Sequence, residues 1–206
     1  MNKFYVGSFY TVGTPYQYIY QDYLLKSCKK FNLKNQVFSI PSLGNWLLNV
    51  AEKPRVIGEM LDLLNEKDEC LVFLDADSSI EQYPTLFEAI PNEYDIAYHT
   101  LNWNTWYGYK DNPAIMELLS GTLFLRNRKK VKELCSEWYK IAKNTNEWEQ
   151  KILQKIIENY DLKVYPLPLD YCFIDSRPGN KLPLISDKNV VIRHFQMSRK
   201  LKKIKL

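Results

Sequence analysis

The sequence predicts a three-layer α/β domain, a mixed and mostly parallel sheet flanked by helices, and three observations predict it. The apolar pattern switches repeatedly between short strand-like runs and helical periods, the alternation that lays helices on the faces of a sheet. One run, Cys70–Leu74 (CLVFL), is apolar throughout, as a central strand covered on both faces must be. The 206 residues carry no repeat, low-complexity stretch or Gly/Ser-rich boundary, and they suffice for one core but not for two comfortable ones. We therefore expect a single domain over residues 1–198 and a basic tail over 199–206.

Lys3–Phe9 reads as the first strand. Thr14 before Pro15 is an N-cap followed by proline at the first helical position. Tyr16, Tyr20, Tyr23, Leu24 and Cys28 then recur at helical spacing as one buried face. Gln36–Ile40 is a second strand, and Pro54 opens a helix with Val56, Ile57, Met60, Leu61 and Leu64 on its inner side. The central strand Cys70–Leu74 stops at Asp75-Ala76-Asp77. Pro84 starts a short helix to Ile90, Asp95–His99 is a strand, and Leu101–Asn112 is an aromatic-rich loop. Gly121–Leu125 is a strand entered through Ser120-Gly121. Val131, Leu134, Cys135, Trp138, Ile141 and Ala142 mark an amphipathic helix with Asn127 as its cap, and another helix runs from about Glu147 to Tyr160. Leu162–Tyr165 and Val190–His194 are late strands.

Composition excludes several classes. The net charge of +4 suits a diphosphate ligand and does not by itself signal nucleic acid. Cys28, Cys70, Cys135 and Cys172 are widely spaced without a CxxC pair, so they read as reduced core residues, not as a disulfide frame or zinc site. The start MNKFYVGSFY has no signal-peptide pattern, and no apolar run has the length of a membrane span. The expectation is a soluble, cytoplasmic protein. The 15 tyrosines suit a cleft that stacks rings and bonds hydroxyls, and equally a Tyr-rich core.

Asp75 and Asp77 carry the most chemistry. Residues two apart in an extended chain project to one side, and the carboxyl end of a buried strand is where open α/β sheets bind ligands. Two close anions repel unless a cation joins them, and a hard ion such as Mg²⁺ or Mn²⁺ suits such oxygen ligands. A haloacid-dehalogenase-type phosphatase also places Asp-x-Asp after an apolar strand, with the first, here Asp75, as nucleophile. Its later acidic doublet has no counterpart here.

The chain resembles the GT-A glycosyltransferases, especially family 8, which includes glycogenin and the lipopolysaccharide galactosyltransferases. Asp75-Ala76-Asp77 resembles the family's DxD, and Ser120-Gly121-Thr122-Leu123-Phe124 resembles its NSG strand. Glu149-Gln150-Lys151-Ile152-Leu153-Gln154 is similar to DQxxLN. His194 stands where the third metal ligand follows a late strand, and Lys200 where a lysine holds the donor diphosphate. Lys53-Pro54 is similar to a donor-holding segment. The chain departs from the pattern at Glu149 for Asp, Gln154 for Asn, and in lacking the glycine and proline of His-x-x-Gly-x-x-Lys-Pro.

The resemblance implies a GT-A fold and a nucleotide-sugar donor, UDP-sugar favoured. It also implies a Mn²⁺ or Mg²⁺ cofactor and hexosyl transfer with retained configuration. It assigns Asp75, Asp77 and His194 to the metal. The donor falls to Tyr10, Thr11, Tyr16, Lys53, Ala76, Gly121 and Lys200, along with the two aspartates. Glu149, Gln150 and Lys200 become the catalytic candidates. Trp103, Trp106 and Tyr107 form an acceptor platform or lid, or else plug the core. Alternatives stay open: an inactive nucleotide-sugar-binding module, or an inverting enzyme with Glu149 or Asp170 as base. Asn146-x-x-Glu149 is also close to a capping box, and His99 reads as structural. The acceptor is a glycan, lipid-linked sugar, protein or nucleic-acid base, and the basic tail suits weak contact with a membrane surface.

Overall fold

The computed structural model describes residues 3–64, 69–110, 113–175, 177–178 and 181–204. Its strands are β1 (Lys3–Val12), β2 (Asn35–Pro41), β3 (Glu69–Leu74), β4 (Ser78–Ile80) and β5 (Ile96–Asn102). They continue with β6 (Met116–Arg126), β7 (Val164–Pro166), β8 (Phe173–Ile174) and β9 (Ile192–His194). Six of them form a sheet in the order β2-β1-β3-β6-β5-β7, and the others a small sheet in the order β4-β9-β8. In the large sheet five strands run one way; β6 alone opposes them, antiparallel to both β3 and β5. The mixed, mostly parallel sheet expected from the sequence is what the chain forms.

Helices cover both faces: α1 (Tyr16–Tyr20), α2 (Lys26–Lys30), α3 (Trp46–Ala51), α4 (Lys53–Asp62), α5 (Thr85–Ala89) and α6 (Trp103–Tyr107). After them come α7 (Lys129–Ala142), α8 (Glu149–Ile156) and α9 (Met197–Ile204). A π-helical turn, Gln21–Leu25, joins α1 to α2 without leaving helical dihedrals. The period of two along β3 divides the core. Leu71 and Phe73 face Ile57, Met60, Leu134, Trp138 and Leu153 from α4, α7 and α8. Cys70, Val72 and Leu74 face Tyr20, Leu24, Cys28 and Phe87 on the other side. Every β3 residue is buried, and each such large apolar side chain contributes about 1.5–3 kcal/mol.

The caps differ from expectation. Thr14 Oγ1 accepts from Tyr16 N (3.3 Å), but the helix begins at Tyr16, one residue after Pro15. Asn127 does not cap α7; its Nδ2 donates to Leu64 O (3.2 Å). The α7 start is instead anchored by Arg128 and Lys130, which pair with the buried Asp95 at 2.5 and 2.7 Å. Helix α3 was not expected. Gly44 takes φ 89°, which only glycine adopts at ease, and Asn45 Oδ1 then accepts from Leu48 N (2.9 Å). The four cysteines are buried thiols, and burial pushes Cys28, Cys135 and Cys172 up to about 12.

Candidate active site

The site begins where β3 ends. Asp75 N donates to Gly121 O (3.0 Å), extending the β3–β6 ladder by one bond. The chain then turns, with Ser78 N and Ser78 Oγ both donating to Asp75 O at 3.0 and 2.7 Å. β4 leaves this turn and pairs with β9 in the register Ser78↔His194, so the small sheet delivers His194 to the aspartates. One ligand atom from each of Asp75, Asp77 and His194 lies within 4.8 Å of the others.

Gly121 keeps this space open. A Cβ there would stand 2.9 Å from His194 Cε1, 3.1 Å from His194 Nδ1 and 3.3 Å from Asp75 Oδ2. On the other edge of the imidazole, Nε2 is 2.8 Å from Thr122 Oγ1. When that hydroxyl accepts from Nε2–H, Nδ1 keeps its lone pair, the tautomer a cation ligand needs. Burial depresses His194 to about 4, with Asp75 opposing and Lys53 assisting, so the ring is neutral at pH 7. Asp77 is raised to about 6 by burial and by Asp75, against the donation of Met197 N to its Oδ2 (2.7 Å). Two carboxylates and a neutral imidazole around a space that a methyl group would fill match a hard divalent cation.

Lys53 lies beside this cluster. Its buried ammonium is 2.9 Å from Asp75 Oδ1, 2.6 Å from Glu149 Oε1 and 3.1 Å from Ser120 Oγ. Burial works against the charge, but the two carboxylates outweigh it and hold the pKa above the usual lysine value. Glu149 is the first residue of α8, so it is not the third-position partner of a capping box. Its Oε2 accepts from Gln150 N (2.5 Å), and its main-chain oxygen accepts from Trp138 Nε1 (2.7 Å). Gln150 and Gln154 bond to the edge of β6: Gln150 Oε1 accepts from Ser120 N (2.9 Å) and Gln154 Oε1 from Leu118 N (3.0 Å). Gln154 Nε2 also donates to Met116 O (3.0 Å). The spacing is physical: four helical residues rise about 6 Å, close to two strand residues at about 6.7 Å.

These groups open onto a cleft of about 750 Å³, a volume within the range of small-molecule sites. Asp75, Ala76, Asp77, Gly121 and His194 form its floor, with Lys53, Glu149 and Gln150 on one side. Tyr10, Thr11 and Tyr16 line the end nearest β1. Tyr10 packs on Tyr20, centroids 5.5 Å apart, and burial and Asp77 both push the Tyr16 hydroxyl upward.

Four candidates sit differently from their expected places. Trp106 is 2% exposed and packs in a core of Leu101, Leu119, Cys172 and Ile174, a cluster that lines the cleft together with Tyr107. Trp103 is outside the lining, its Nε1 donating to Glu117 Oε2 (2.7 Å). Lys200 is also outside: its ammonium is 3.6 Å from Asp175 Oδ2 and lies over the Phe195 ring, while its neighbour Arg199 lines the cleft. Asp170 lies in a separate surface hollow with Gln82 and Lys188. Residues expected as a tail are the body of α9; Lys205 and Leu206 lie outside the described residues, as do the side chains of Lys202 and Lys203. His99 is structural, its Nδ1 2.8 Å from Leu167 O. Trp46 and Trp148 line the cleft and were not expected to; the signal for Trp46 was the Gly44-Asn45 pair ahead of an apolar turn.

A mostly parallel sheet with one reversed strand and helices on both faces is the GT-A type of nucleotide-diphospho-sugar transferase fold. Among the solved structures that share it are three glycosyltransferases. One is a glycosyltransferase involved in the glycosylation of the major capsid of PBCV-1, with 11% identity and a TM-score of 0.68 over 99% of this chain and 100% of that one. Another is the WbbM bifunctional glycosyltransferase, with 10% identity and a TM-score of 0.56 over 95% of this chain and 46% of that one. Mouse xyloside xylosyltransferase 1 aligns with 9% identity and a TM-score of 0.55, over 95% and 98%. No family model and no curated protein matches the chain by sequence. No helix among the described residues is long and apolar enough to cross a membrane.

Proposed function

We propose that the chain is a glycosyltransferase that moves a sugar from a nucleoside-diphosphate sugar, UDP-sugar favoured, to an acceptor hydroxyl. The observation that carries this reading is the convergence of Asp75, Asp77 and His194 within 4.8 Å at the floor of the cleft. Asp75, Asp77 and His194 would hold Mn²⁺ or Mg²⁺, which would supply positive charge against the departing diphosphate. Arg199, on the cleft wall, takes the diphosphate-facing role that the sequence suggested for Lys200. Lys53 fixes Asp75 Oδ1 and keeps that carboxylate oriented. Tyr10 and Tyr16 offer ring faces for a nucleobase at the β1 end.

The geometry favours retention of configuration. Glu149 is bonded through both oxygens, to Lys53 and to Gln150 N, and Asp170 is outside the cleft. Neither is placed to take a proton from an attacking hydroxyl. A thermal-shift panel tests the proposal. UDP-sugars with Mn²⁺ should raise the melting midpoint, by about 2.7 kcal/mol of stabilisation at a hundredfold excess over Kd, and phosphomonoesters should not. A shift with phosphomonoesters alone would overturn the reading.

A further inference from the structure

Trp46 and Trp148 take no part in the chemistry above. Trp46 opens α3 and Trp148 immediately precedes α8, two helices in contact with one another. The indole centroids are 5.9 Å apart with the planes inclined at 49°, and both rings are partly exposed on the cleft wall. Their position follows from the ion pairs. Asp75 holds Lys53, Lys53 holds Glu149, and Trp148 is the residue before Glu149. Both tryptophans line the same cleft as Asp75, Asp77 and the tyrosines at the β1 end.

Two partly exposed indoles on the lining give the cleft apolar aromatic surface. A pyranose has the matching surface: its axial C–H bonds form an apolar face, and its hydroxyls project around the rim. Asn45 and Asn49 line the same cleft; their Oδ1 atoms accept from Leu48 N and Leu43 N, so it is their Nδ2 groups that can donate to such a rim. Of the platform expected from the sequence, Trp106 is buried and Trp103 is bonded to Glu117, which leaves Tyr107 as its partly exposed member on the cleft. We infer that Trp46 and Trp148 form the subsite for a saccharide acceptor, so that the acceptor is a glycan ending in a pyranose. The inference rests on the glycosyl-transfer reading.

The test is a direct titration of the full chain with methyl glycosides of glucose, galactose and mannose, followed by intrinsic tryptophan fluorescence and by saturation-transfer NMR. The matching linear alditols serve as controls. At least one glycoside should bind through its ring protons while the alditols do not. Trp46→Leu and Trp148→Leu, which keep apolar bulk without an aromatic face, should each weaken it roughly tenfold, and Trp→Phe at either position should restore part of the loss. Melting curves show that the variants are folded. Equal binding by the Leu and Phe variants, binding of the alditols, or no glycoside binding would overturn the inference, and preferential binding of a peptide or an oligonucleotide would replace it. UDP with Mn²⁺ is titrated separately. A response to UDP without glycoside binding sinks this subsite alone, whereas glycoside binding without any UDP response leaves the subsite supported and sinks the transferase reading.

Discussion

Asp77 and His194 share one small space, and burial drives both toward neutrality from opposite directions. Asp77 rises from 3.8 to about 6 and His194 falls from 6.5 to about 4. The signs follow from linkage. The raised Asp77 contributes stability that is complete below its unfolded pKa and is lost as pH rises through about 6. The depressed His194 contributes stability that is present above its unfolded pKa and is lost as pH falls through about 4. The two offset one another in the metal-free protein between these limits, but they do not offset in cation binding. Between pH 7 and 5 only Asp77 takes up a proton, so Mn²⁺ affinity should fall about tenfold per pH unit below 6 and level off above 7. Calorimetric titration across that range checks it, and an affinity constant down to pH 5 would contradict it. Gly121→Ala is the steric counterpart. The added methyl meets the His194 ring at 2.9 Å, and the variant should lose cation-dependent stabilisation while losing about 1–3 kcal/mol of its own stability, read by denaturant unfolding. The aspartate pair was legible in the sequence because a strand end and local spacing mark it, whereas His194 was singled out by the family resemblance. The Lys53–Glu149 pair was not legible as a pair, since 96 positions separate its members (149 − 53) and only packing reveals who neutralises whom.

At the scale of elements, the long amphipathic segments announced themselves and the short ones did not. Helix α7 buries Val131, Leu134, Cys135, Trp138 and Ala142 at helical spacing, and β3 is a continuous apolar run. Strands β4 and β8 are only 3 and 2 residues long and too brief to show a period. Helix α9 is masked by its lysines, which read as a solvated tail. The α8 glutamines look like surface residues by composition, yet they complete the bonding of β6. Gln154→Leu should leave Leu118 N and Met116 O without their side-chain partner. The expected cost is about 0.5–1.5 kcal/mol, since water can reach the exposed Met116 O, measured as a lowered denaturant midpoint with an unchanged slope.

Across the whole molecule, two sheets of very unequal size meet at the acidic turn. The six-stranded sheet has helices on both faces and holds the deepest core. The three-stranded one is built from segments of 2 or 3 residues, and such short pairings open at lower free energy than a core sheet. Hydrogen exchange should therefore show faster amides at 78–80 and 192–194 than in β3. Mn²⁺ with UDP should slow the former and leave the latter alone. Uniform protection in both sheets before ligand is added would argue against this division.

The α8 glutamines also bear on how molecules meet one another. The first half of β6 runs beyond the end of β3 and would otherwise show a bare row of N–H and C=O groups. Such an edge recruits strands from other chains. Side-chain amides capping alternate positions deny that template, so this half of β6 needs neither a neighbouring subunit nor a covering loop to stay out of intermolecular sheets.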